Sequence, residues 1–196
     1  MGEVFEFRGV DNLVYAEVTA DTKENYTTGE VKSLAATAEI GKTVETSTAA
    51  KYYDNKAMIN INSEGTDEIK ITCAALDLET LADINGKKYD KTAGALIDTT
   101  REVKYFAIGY RTKGTDGKYR YVWRYKGTFN IPEESSATED DGTDSKNQEL
   151  TYTGIYTVHE FGASGAAKGV VVDTRKSSKD VSTFFNTVLP PDKLNE

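Results

Sequence analysis

The chain has 196 residues, of which 38% are hydrophobic, and a formal net charge of −8. That suits one domain, or one domain with arms, and the acidic balance argues against a nucleic-acid or anionic-membrane binder at the level of the whole chain. A single cysteine, Cys73, excludes an internal disulfide and a cysteine-based zinc site, and a single histidine, His159, excludes a histidine-rich one. No stretch reaches the ~18 apolar residues of a membrane helix. The opening MGEVFEFRG lacks the basic region and apolar run of a secretory signal, which predicts maturation in a cytoplasm.

The first predicted strand is NLVYAEVTA, residues 12–20, and DTKENYTTGE after it reads as a turn or loop. Residues 31–53 are dominated by Ala, Thr, Val and Ser, without proline. They read as extended, with a kink near Gly41, and their small side chains suit an arm lying flat against another surface. Residues 54–65 read as polar and turn-like, so 34–65 is set apart as an extended arm and loop. TDEIKITCAA, residues 66–75, alternates: Ile69, Ile71, Cys73 and Ala75 fall on a core face, and Glu68, Lys70, Thr72 and Ala74 on the other.

The period then changes. Leu78, Leu81 and Ala82 stand at helical spacing, Asp77 is placed to cap them and Gly86 to stop them, which predicts a helix of two to three turns packed on a sheet through Leu78 and Leu81. Residues 104–112 and 118–130 form two strands about KGTDG, whose Asp-Gly pair signals a hairpin. The second strand is two-sided. Tyr119, Tyr121, Trp123, Tyr125 and Phe129 take one parity, and Lys118, Arg120, Arg124 and Lys126 the other. The aromatic side is expected to pack inward, with Trp123 and Tyr121 in the core.

Residues 131–149 carry seven acidic side chains against one lysine and read as a solvated loop. LTYTGIYTVH, residues 150–159, returns to a strand. In the extension at 160–196, GASGAAKG is a joint, and Val181, Phe184, Phe185 and Val188 stand at helical spacing before Pro190 and Pro191, which predicts a second short helix. The expected class is mainly β (α+β): a single domain over 1–196, an antiparallel sandwich or partial barrel with one flanking helix, a long arm and a short C-terminal helix.

Chemistry is sparse. His159 lies at a strand end beside Glu160 with no local nucleophile. TEDDGTDSKNQE departs from EF-hand spacing, and neither GTDGKY nor GASGAAKG is a phosphate loop. No catalytic residue, metal ligand or cofactor site is assigned. Charge is more telling: residues 101–130 hold eight basic and two acidic side chains, and the next loop reverses the sign. Either the basic face of Lys118, Arg120, Arg124 and Lys126 meets a second copy of the chain, or acids of the same chain balance it. On the first alternative, reversing Arg120 or Arg124 would spare folding and impair assembly.

YFAIGYRTKGTDGKYRYVWRYKGTF, residues 105–129, resembles the most recognisable stretch of the major tail proteins of long, non-contractile-tailed bacteriophages of Gram-positive hosts. GVDNLVYAEVT (9–19), LDLETLADINGKKYD (76–90), ELTYTGIYTV (149–158) and DVSTFFNTVLPP (180–191) resemble other parts of that family in the family's order; 36–65 is harder to match. The resemblance implies a β-sandwich with a flanking helix, a virion protein assembled in the host cytoplasm. Six copies would close into rings that stack into a tail tube. Its partners would be further copies of itself, the tape measure protein, and the tail-tip and tail-terminator proteins, with DNA conducted through the lumen without specific binding. The family's long hairpin or arm reaches between rings; residues 34–53 are the candidate here, with Thr43, Val44, Thr46, Tyr52 and Tyr53 as contacts. A lumen that passes DNA calls for a small, polar or acidic lining, for which Glu68, Lys70 and Thr72 are candidates. An inner tube within a contractile sheath shares this architecture. The rivals are a monomeric surface domain whose aromatic strand binds carbohydrate or protein, and an enzyme built on paired carboxylates.

Overall fold

The computed structural model describes residues 4–133 and 147–194. Of the acidic segment expected as a loop at 131–149, residues 134–146 lie outside the described residues, and its end is not loop: Gln148 and Glu149 already pair with Cys73 and Thr72 in a strand. In chain order the elements are β1 (Phe7–Asp21), β2 (Tyr26–Thr28), β3 (Lys32–Ser33), β4 (Thr37–Tyr53), β5 (Lys56–Cys73), α1 (Leu78–Asn85), β6 (Lys88–Asp90), β7 (Ala95–Ile97), β8 (Phe106–Gly114), β9 (Tyr119–Phe129), β10 (Gln148–Gly154) and β11 (Gly169–Asp173). Among the described residues, nine strands form one antiparallel sheet in the order β2-β1-β8-β9-β10-β5-β4, with β3 on β1 and β11 on β9; β6 and β7 form a separate small ribbon. The protein is mainly β and sandwich-like.

Alternation along the central strands builds two cores, one on each face. Tyr15, Phe106, Ile108, Tyr110 and Val122 point to the first, where Ile69, Ile71, Cys73, Leu150 and Tyr152 meet them from the other half of the curled sheet. Ala16, Ala107, Tyr121, Trp123 and Tyr125 point to the second, which Phe161, Phe184 and Val188 of the C-terminal extension cover. Phe129 has the parity of Trp123 yet lies in the first core. A β-bulge explains the switch: Phe106 pairs Gly127 and Ile108 pairs Arg124, so β9 carries one extra residue against β8. Gly109 makes room on the second face, where a Cβ would meet the Trp123 ring and Val14 at 2.9 Å.

The helix follows its signals. Asp77 Oδ1 accepts from Thr80 N at 2.8 Å, and Gly86 ends the helix in the left-handed region at φ 62°. Leu81 is buried, but Leu78, expected in the core, is 47% exposed, because Thr80, Leu81, Ile84 and Asn85 carry the packed face. The expected C-terminal helix is absent. Residues 182–186 form successive turns, with Phe184 N donating to Val181 O at 3.2 Å and Asn186 N to Thr183 O at 2.9 Å, before a 3-10 turn at Pro191–Lys193. The stretch before Pro190 is short and rich in β-branched residues, and burial of Phe184 and Val188 stabilises it without an α-helical ladder. The strand expected to run to His159 ends at Gly154; beyond it, the amides of Val158 and His159 donate to Asp21 instead of to a ladder.

Candidate assembly surface

Residues 54–65, expected as polar turn, are strand apart from a two-residue turn. Asp54 (φ 48°) and Asn55 (φ 60°) both lie in the left-handed region, as a type I′ hairpin turn requires, and β5 begins at Lys56. Asn, Ser and Gly hid an alternation that the pairing reveals: Ile61 sits opposite Ala49 and Ile59 opposite Lys51, while Asn62 opposite Thr48 and Asn60 opposite Ala50 take the other face. The result is a long β4–β5 hairpin. Near its root it belongs to the main sheet, but residues 43–53 and 56–65 are exposed on both faces. Over about ten residues a ribbon extends roughly 34 Å. Thr43, Val44, Thr46, Tyr52 and Tyr53, named as arm contacts, all lie on it; Tyr52 and Met58 are 69% and 67% exposed, and Ile59 and Ile61 are exposed with them. β4 is an edge strand of the sheet, and β10 pairs β5 only from Asp67 onward, so the free part of the arm presents two unpaired edges among the described residues. A two-stranded ribbon with no third layer is marginal in water, and such edges are templates for another chain.

Glu68, Lys70 and Thr72 lie on one outward sheet face. They are flanked by Thr43, Gly41 and Glu39 on β4 and by Thr153, Thr151 and Glu149 on β10. The surface is polar, with the carboxylates Glu39, Glu68 and Glu149 around the ammonium of Lys70, itself 3.4 Å from Glu68. Beneath it, Ile69 and Ile71 are buried, as are Trp123 and Tyr121 on the other side of the molecule.

The basic face of β9 meets acids of its own chain. Arg120 Nε bonds Asp173 Oδ2 at 2.7 Å, and its guanidinium lies over the Phe7 ring. Arg124 reaches within 3.9 Å of the buried Asp67. Lys126 is itself buried and bonds Asp21 Oδ2 at 2.6 Å. Burial by itself would raise the Asp21 pKa, but Lys126 and the Val158 and His159 amides outweigh it and hold the carboxyl below its ordinary range. Lys118 alone of the four sits exposed, in the turn before β9. The alternative of intramolecular balance therefore describes Arg120, Arg124 and Lys126, and these three are not a free basic surface. Sequence reasoning missed the acids involved. Asp67 was legible: it continues the inward stripe of Ile69, Ile71 and Cys73, a charge at a core position. Nothing local marks Asp21 or Lys168.

The aromatic side of β9 is closed as well. Trp123 and Tyr125 are fully buried beneath Phe161, Phe184 and Val188, so this strand offers no open platform for a sugar ring. His159 Nδ1 lies 3.1 Å from Lys23 O, and its ring stands edge-on to Phe161. No helix among the described residues is long and apolar enough to cross a membrane. No protein-family model matches the chain, and no curated protein matches it.

Proposed function

We propose that this protein is a structural, self-assembling subunit of a bacteriophage tail tube: copies close into rings, six to a ring by the family likeness, and the rings stack. The observation that carries the reading is the β4–β5 arm, which among the described residues leaves two ribbon faces, two strand edges and the exposed side chains of Tyr52, Tyr53, Met58, Ile59 and Ile61 uncovered. A monomer gains little from ordering such a ribbon; an identical neighbour that adds strands or a packing face turns it into a sheet. The outward face of Glu39, Glu68, Glu149 and Lys70 with its threonines would line the lumen, where a small, polar, net negative wall repels DNA phosphates. The tape measure protein and the tail-tip and terminator proteins are the further partners this role implies.

The test is sizing at rising concentration with negative-stain microscopy, on the full chain and on a variant in which 46–63 are replaced by an Asn-Gly turn, so that Glu64 is kept. The full chain forms rings or tubes; the shortened variant stays monomeric with its unfolding midpoint near that of the parent, because the removed residues contribute nothing to either core. A full chain that remains monomeric at every concentration, alone and with other tail components, overturns the proposal.

A further inference from the structure

A buried charge cluster sits where the arm leaves the body. The β4–β5 register breaks there: Val44 pairs Asp67 and Thr46 pairs Glu64, so three steps on β5 oppose two on β4, a bulge over Gly65 and Thr66. On the body side β10 supports the other edge of β5 as far as the Gly154–Asp67 pair; on the arm side, among the described residues, β5 pairs with β4 alone. The bulge is thus the boundary between supported sheet and free ribbon. Lys168, from the segment leading into β11, places its ammonium against this point. Nζ donates to Gly65 O at 2.6 Å, Glu64 Oε1 at 2.8 Å and Asp67 Oδ1 at 3.0 Å, and lies over the Tyr156 ring. An ammonium has three donors, and all three are used on residues before, within and after the bulge. Lys168 is itself anchored, since its carbonyl accepts from Tyr125 N at 2.9 Å on β9.

We infer that Lys168 is the pin of a hinge: it fixes the bulge, and with it the direction in which the arm leaves the body. Charge balance alone does not account for it. Asp67 already faces Lys42 Nζ at 2.9 Å and Arg124 at 3.9 Å, and the bonds from Lys168 to the Gly65 carbonyl and to Glu64 do nothing for that carboxylate. What they do is hold the bulge against the C-terminal segment. A bulged ribbon without a third layer swings freely, and ordering it during association would weaken binding; a pin fixed on folding removes that cost beforehand. Docking of the C-terminal segment on β9 thereby presets the arm for its partner, a consequence that rests on the assembly reading although the pin does not.

The experiment is a spin-label distance measurement between Ala50→Cys on the arm and Lys113→Cys on β8, both exposed sites, in the size-selected monomer; the native Cys73 thiol is fully buried and escapes labelling. The parent gives one narrow distribution. Lys168→Met keeps the stem and removes the donors, and is expected to broaden the distribution about twofold or more while Trp123 fluorescence reports an intact body. Glu64→Ala, which removes one partner of three at a half-exposed site, broadens it less and serves if Lys168→Met does not fold. An unchanged width in folded Lys168→Met, or in Glu64→Ala where that variant stands in, overturns the inference. A broadened Lys168→Met in a chain that never assembles sinks the tube reading and leaves the pin standing; an unbroadened one in a chain that assembles does the reverse.

Discussion

The indole Nε1 of Trp123 donates to the backbone carbonyl of Phe184 at 3.0 Å, a buried bond that spans 61 residues and fastens the C-terminal extension to the central strand. Around it the Phe184 and Phe185 rings pack against Tyr121, and Phe185 against Trp123. Tyr125 repeats the device, its hydroxyl donating to Leu189 O at 2.9 Å. The extension is a structural lid on the second core.

Phe184→Ala should therefore destabilise the monomer by about 3–5 kcal/mol, as should Trp123→Ala. Trp123→Phe keeps much of the ring burial but leaves the Phe184 carbonyl without its donor, at a cost of about 1–3 kcal/mol. Urea denaturation followed by far-UV circular dichroism gives all three values. A Phe184→Ala midpoint equal to that of the parent would mean the extension is not part of the cooperative unit.

Arg124→Glu should damage the fold itself, contrary to what an open basic face would predict. The Arg124 side chain is 14% exposed and faces buried Asp67, so reversal sets a second carboxylate beside the first, at a cost of about 3–5 kcal/mol. Arg120 is more exposed and pairs with Asp173 near the surface, so Arg120→Glu should cost less. Chemical denaturation of the two monomers ranks them; equal midpoints would contradict the burial argument.

Acid should destabilise the protein over a defined window. Burial alone would raise the Asp173 pKa, but Arg120, the Arg175 amide and the Arg175 side chain outweigh it and lower it from 3.8 to about 2. Asp21, Asp67 and Asp83 are lowered as well, each against the opposing effect of burial, chiefly by lysine partners. A carboxyl whose folded pKa lies below its unfolded value stabilises the fold fully above the unfolded value, and that contribution is lost as pH falls through the folded one. The loss attributable to Asp173 should thus fall between pH ~4 and pH ~2, and Asp173→Asn should flatten that part of the profile while lowering stability at neutral pH. Urea midpoints across this range test it; an Asp173→Asn profile parallel to the parent's would reject the assignment.

Local signals carried much of this architecture. Alternation placed Ile69, Ile71, Trp123 and Tyr121 inside, Asp77 and Gly86 bounded α1, and the Asp-Gly pair marked the β8–β9 turn, because each depends on neighbours a few residues away. The same locality misled at 181–188, where helical spacing of Val181, Phe184 and Val188 met a surface that buries them without a helix. It also obscured 56–65, whose alternation is written in Ile, Asn and Ser with no core to favour one face.

By itself the sequence determined the β class, the inward stripes and the short helix, since side-chain period and backbone preference act over one or two turns of chain. Tertiary structure decided the partners of the charges. Lys126 finds Asp21 across 105 residues and Lys168 finds Asp67 across 101, and both pairs exist only because the curled sheet and the returning C-terminal segment bring those strands together. A charge's energy depends on what lies within a few ångströms of it in space, a distance that order along the chain does not encode.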